Sequence, residues 1–123
     1  METNVEVLKI NDVEYVRKNA LREKAEMLNG MDYVVIRTYS AGVFFGYIEK
    51  RCGKEVVMRN ARRVWRWNGA ASLSQLAMEG TKEPENCKFP CCVARVTLTE
   101  AIEIIDITEK AKTNLEAVPI WSE

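Results

Sequence analysis

The spacing of apolar positions changes period along the chain, and each change predicts an element. From Asp12 the spacing is helical: Val13, Val16, Ala20, Lys24 and Met27 form one line, with Leu21, Ala25 and Leu28 beside it. Asp12 can cap the start of this helix, and Asn29-Gly30 supplies a left-handed stop. Val5 to Ile10 fits a short strand or a helical turn equally well. The period then falls to two. Tyr33 to Tyr39, Val43 to Lys50 and Glu55 to Trp67 are rich in β-formers, with turns at Ser40-Ala41-Gly42 and Cys52-Gly53-Lys54 between them. A three-stranded antiparallel meander is predicted.

Asn68-Gly69 closes the meander. A short helix from Ala70 to Glu79 follows, with Leu73, Leu76 and Ala77 on one face and Gly80 at its stop. Thr81 to Pro90 reads as a loop, Cys91 to Leu98 and Ile102 to Ile107 as two more strands. Thr108 caps a last helix, Glu109 to Ala117, which Pro119 ends. The expected class is α+β: an N-terminal amphipathic helix, an antiparallel sheet of about five strands, a short helix after the third, and a C-terminal helix.

Length narrows the picture: 123 residues favour one domain, taken as a single ligand-binding domain over residues 1–123. No apolar run approaches the roughly 20 residues that span a bilayer. The acidic, polar start Met-Glu-Thr-Asn-Val-Glu is unlike a secretory signal, so a cytoplasmic location is expected, with no membrane partner. Eighteen basic and 18 acidic residues cancel, which argues against a general nucleic-acid binder. The charge is uneven, however: Arg59, Arg62, Arg63 and Arg66 fall close together.

Candidate chemistry is thin elsewhere. The chain has no histidine, the commonest general base and the usual partner of Ser or Cys nucleophiles. Neither a phosphate-binding loop nor a dinucleotide-binding signature is present. Cys52, Cys87, Cys91 and Cys92 lack the paired spacing of a zinc site and read as reduced thiols. No enzymatic activity, catalytic residue, metal or cofactor is expected.

One stretch does not read as plain core. If the third strand were regular, Arg59, Ala61, Arg63, Trp65 and Trp67 would share one face. Asn60, Arg62, Val64 and Arg66 would share the other. Neither face suits a core or a solvated surface, so either a bulge around Asn60–Ala61 changes the facing, or the tryptophan face is a site or interface. Arginine recognises phosphate in two-pronged fashion, and aromatic rings offer a stacking platform. Asn68, Gly69 and Ser72 open the next helix, where free N–H groups suit an anion. Phe44 and Phe45, flanked by Gly42 and Gly46, point to opposite faces, and one of them can complete an aromatic clamp. Arg37 lies mid-strand, paired internally or aimed into a cleft. The ligand-binding candidates are therefore Arg37, Phe44, Phe45, Arg59, Asn60 and Arg62, followed by Arg63, Trp65, Trp67, Asn68, Gly69 and Ser72.

The hairpin Val43-Phe44-Phe45-Gly46-Tyr47, the block from Asn60 to Leu73, Leu76 to Gly80, and Glu100 to Ile104 together resemble the phage and prophage Thoeris anti-defence sponges of the first-described type. That resemblance spans residues 32–107. It implies a protein that binds a glycocyclic ADP-ribose signal without degrading it, so that the Thoeris effector stays silent. It also implies a homo-oligomer built from dimers, up to a hexamer, with cyclic oligonucleotides at a second site in some members. Two other readings compete. One is a nucleic-acid-binding or regulatory module using the same arginines and tryptophans; the other is an interaction protein in which that strand is only a subunit interface.

Overall fold

The computed structural model describes residues 24–122. The amphipathic helix expected from Asp12 lies largely outside the described residues. Its described end, 24–28, is not helical and carries only isolated bridges, Lys24 to Thr108 and Leu28 to Met31. Leu28 and Met31 exchange backbone hydrogen bonds at 3.0 and 2.9 Å around Asn29 (φ 52°) and Gly30 (φ 80°). Asn-Gly is here a two-residue hairpin turn, because both residues tolerate positive φ, and not a helix stop.

Five strands follow the predicted order. They are β1 (Asp32–Thr38), β2 (Val43–Cys52), β3 (Glu55–Val64), β4 (Val93–Leu98) and β5 (Ala101–Asp106). Helix α1 (Leu73–Glu79) and a 3-10 turn (Pro84–Asn86) separate β3 from β4, and α2 (Glu109–Glu116) follows β5. All four strand pairs are antiparallel, in the spatial order β4-β3-β2-β1-β5. Thr108 caps α2 by accepting from the Ala111 N–H, as its position predicts. The expected α+β class stands as an antiparallel five-stranded sheet with two helices.

Most boundaries fall within two residues of expectation, and two differ by three. The third strand stops at Val64 rather than Trp67; beyond it only Arg66 keeps a bridge, to Lys88. The short helix begins at Leu73 rather than Ala70, because the Ser72 hydroxyl accepts from Gln75 N–H and fixes the cap there.

The sheet is strongly curled. Its outermost strands, β4 and β5, are joined only by Thr99 and Glu100. In a flat sheet five strands would set those edges about 19 Å apart. Three Cα steps reach at most about 11 Å. The conflict is resolved by the β2–β3 hairpin, whose register shifts twice, between Phe45 and Tyr47 and between Ile48 and Lys50. Such bulges bend a strand and tighten its twist. The hairpin tip thus swings round until Lys54 O accepts the Ala101 N–H at 3.0 Å.

Curling gives the sheet two separate cores. Val34, Ile36, Phe44, Met58 and Ala61 fill the inner face, joined by Leu98 and Ala101 from the opposite edges. Tyr33, Val35, Phe45 and Tyr47 face the other way and pack against the helices through Leu76, Ala111 and Leu115. Alternation within β1 and β2 produces both sets from neighbouring residues.

A cavity beneath the third-strand bulge

The site begins with Asn60. Gly46 on β2 faces two residues on β3, Asn60 and Ala61, and Asn60 takes φ 49°. The bulge reverses the facing of everything after it. Met58 and Ala61 point to the inner core, whereas Arg62 and Val64 turn towards the helices. The bulge expected around Asn60–Ala61 is therefore what reconciles the mixed alternation of this strand.

Arg62 is buried, at 6% exposure, and its guanidinium works as a clamp on backbone carbonyls. Nε donates to Pro90 O at 2.8 Å, and Nη2 to Phe89 O and Pro119 O at 3.0 Å each. Nη1 makes a longer bond to Leu115 O at 3.4 Å. Its carbon lies 5.4 Å from the Phe89 ring centre. Among the described residues no carboxylate forms an ion pair with it. Burial accordingly pulls its pKa down, with the nearby Cys92 opposing in part.

Beside Arg62 is a cavity of about 260 Å³, walled by Tyr33, Phe45, Asn60 and Cys92, and by Glu116, Val118 and Ile120 from the C-terminal end. Burial, with the Glu116 carboxylate beside it, pushes the Tyr33 phenol far above the ordinary tyrosine value. Burial also raises the Cys92 thiol, against the pull of Arg62. Lys112 lies above the Tyr33 and Tyr47 rings, 5.3 and 5.6 Å from their centres, and contact with Tyr47 raises its pKa. The chemistry on offer is one buried cation, a carboxylate, a phenol, a thiol and an amide set among aromatic and aliphatic walls.

Only three of the twelve sequence candidates meet here: Phe45, Asn60 and Arg62. Phe44 and Arg63 belong to the inner side of the sheet, with the Arg63 guanidinium 4.6 Å from the Phe44 ring centre. Arg37 pairs with Glu103 at 2.9 Å, its register partner on β5. Arg59 binds Glu49 at 2.6 Å, and Arg95 approaches the same carboxylate at 3.5 Å. Together they hold the Glu49 carboxyl below its ordinary pKa, Arg59 most strongly.

The remaining candidates lie past the end of β3. Trp65 is 62% exposed and stacks on Trp121, whereas Trp67 is half-buried and donates from Nε1 to Ala70 O at 3.2 Å. Asn68 donates from Nδ2 to Asn86 O at 2.8 Å and accepts from the Thr81 hydroxyl. A Cβ on Gly69 would lie 2.5 Å from Glu83 N, so a side chain there has no room. Ser72 spends its hydroxyl on the cap of α1. These residues build a loop and a helix start, apart from the cavity.

Sequence reasoning missed Tyr33, Cys92, Glu116, Val118 and Ile120 as wall residues. Nothing in their local pattern marks them, since the cavity forms only where the C-terminal segment returns to β3. Cys87 is buried and Cys52, Cys91 and Cys92 are exposed. Among the described residues no cluster of Cys, Asp or Glu is arranged to hold a metal, and no helix is long and apolar enough to cross a membrane.

A curled antiparallel sheet with a lined cavity at its helix-covered face defines the class of this α+β protein. Residues 31–115 match the family described as Domain of unknown function (DUF6948), and the chain belongs to that family. No curated protein matches the chain, and no solved structure does.

Proposed function

We propose that this protein binds and retains a small planar anion without transforming it. The supporting observation is Arg62, a buried guanidinium without a carboxylate partner on the wall of a cavity flanked by Tyr33 and Phe45. Its charge is met only by backbone carbonyls, and an anionic ligand would supply the opposite charge that they do not. The two aromatic rings suit a planar group. With Tyr33 and Cys92 held in their protonated forms, neither is a ready base or nucleophile, and the chain has no histidine to take their place.

The resemblance to Thoeris anti-defence sponges suggests the ligand: a glycocyclic ADP-ribose-type signal sequestered in the cytoplasm of a phage-infected bacterium. Ligand cavities commonly run from about 300 to 1,000 Å³, so a cavity of about 260 Å³ would take one end of such a molecule. The rest would lie at the mouth.

Retention is tested directly. The protein is incubated with glycocyclic ADP-ribose, freed of unbound ligand, denatured by heat, and the released material is identified by mass spectrometry. Intact signal in near-stoichiometric amount is expected. A hydrolysed product, or no retained ligand, overturns the reading. Cys92→Tyr, which places a bulky ring on the cavity wall, is expected to abolish retention.

A further inference from the structure

After α2 the chain crosses back to β3 as a short strap, residues 118–121. Val118 and Ile120 form one wall of the cavity. Pro119 O accepts from Arg62, and the Trp121 N–H donates to Phe89 O at 2.9 Å. Ile120 makes a parallel bridge with Phe89 yet stays 63% exposed. At the far end the Trp121 ring lies within 9° of parallel to Trp65, centres 6.2 Å apart, with Lys88 Nζ 5.3 Å from the Trp121 centre. No strand or helix includes these four residues.

Besides Val118 and Ile120, one residue outside the strap ties it to the cavity. Arg62 lines the cavity and also holds Pro119, so any anion that reaches its guanidinium competes with the Pro119 carbonyl. The tryptophan stack does the opposite: it fastens the strap from outside without touching the cavity. Segments held by few contacts open locally at far lower free energy than the whole fold.

We propose that residues 119–121, pivoting on the buried Val118, are the gate of the cavity, latched by the Trp65–Trp121 stack and released towards solvent to admit and discharge the ligand. The latch stands on geometry alone; the gating role rests on the binding reading given above. Trp121 is the moving half of the latch, and Trp65, anchored next to the Lys88 bridge, is the fixed half.

Amide hydrogen exchange on the full chain tests both parts. Without ligand, Trp65→Ala is expected to speed exchange of the Trp121 amide about three- to tenfold, the range set by loss of one aromatic pair, while the Val35 and Phe45 amides keep their rates. With glycocyclic ADP-ribose as the probe, Trp65→Ala is expected to speed ligand dissociation. Unchanged Trp121 exchange, or a uniform acceleration of the core amides, overturns the gate. So does a probe that binds the wild type and leaves Trp65→Ala at the same rate. Faster Trp121 exchange in a protein that binds no probe supports the latch and overturns the binding reading alone.

Discussion

Gly46 and Ala61 approach so closely across β2 and β3 that a Cβ on Gly46 would lie 2.8 Å from the Ala61 Cα and 2.9 Å from Asn60 O. Both obstacles are backbone, so neither can rotate away. The glycine is what allows the Asn60–Ala61 bulge to seat against β2. Gly46→Ala is expected to destabilise the protein by about 1–3 kcal/mol, the usual range for overpacking. Urea denaturation monitored by circular dichroism measures it. An unchanged midpoint would show that the hairpin yields at this point.

Arg62 should prove more important to stability than to charge. Its four carbonyl acceptors come from Phe89, Pro90, Leu115 and Pro119, three separate stretches of the tail of the fold. Lysine keeps the charge but has neither the planar fork nor the donors on two sides. Arg62→Lys is expected to cost about 2–4 kcal/mol, since hydrogen bonds to charged groups are worth about 1.5–3 kcal/mol each. Thermal unfolding checks this, and a loss below about 0.5 kcal/mol would contradict the clamp.

Alkaline pH should act through Tyr33. Its folded-state pKa is raised, so its contribution is fully present below the unfolded value of about 10 and is lost as pH rises above it. In that window the unfolded chain has released the proton and the folded chain retains it. Stability should therefore fall by about 1.4 kcal/mol per pH unit. Lys112, also raised, acts in the same direction over the same alkaline range. Tyr33→Phe is expected to reduce the slope above pH ~10 and leave stability near neutrality little altered. Denaturation curves taken at several alkaline pH values decide it.

Ser72 separates capping from ligand contact. Its hydroxyl accepts the Gln75 N–H at 3.1 Å, and the Ala71 N–H is taken by Gln75 Oε1 at 2.9 Å. Ser72→Ala is expected to lower stability by about 1 kcal/mol and leave ligand retention unchanged. A selective loss of retention would restore a role for this helix start in binding.

Much of the fold can be read from local patterns. The alternation of β1 and β2 needs only neighbouring residues, and the Thr108 cap needs only its own turn. The ends of elements were harder to read. Trp65 and Trp67 continue the β-forming composition of β3, yet the strand stops because the partner strand β2 begins at Val43, opposite Val64. Asn29-Gly30 has the same composition as a helix stop and as a hairpin turn, and only the Leu28–Met31 pairing distinguishes them.

The candidate site was legible in part for the same reason. The conflict of faces in β3 exposed the bulge, because it is contained in one strand. Glu116, Val118 and Ile120 come to the cavity from more than fifty residues away, and no spacing rule connects them to Arg62. The candidate arginines were spread over separate partners: Glu103 for Arg37, Glu49 for Arg59, and carbonyls for Arg62.

The two-residue link between Leu98 and Ala101 also constrains the order of assembly. Its flanking strands take up opposite margins of the sheet, so β5 cannot pair with β1 while β4 pairs with β3 until the hairpin between them has bent. Docking of both margins therefore requires the β2–β3 bulges. Such dependence on distant contacts is the signature of slow folders. Lengthening Thr99–Glu100 with a few glycines would uncouple the two margins and let each strand dock on its own schedule.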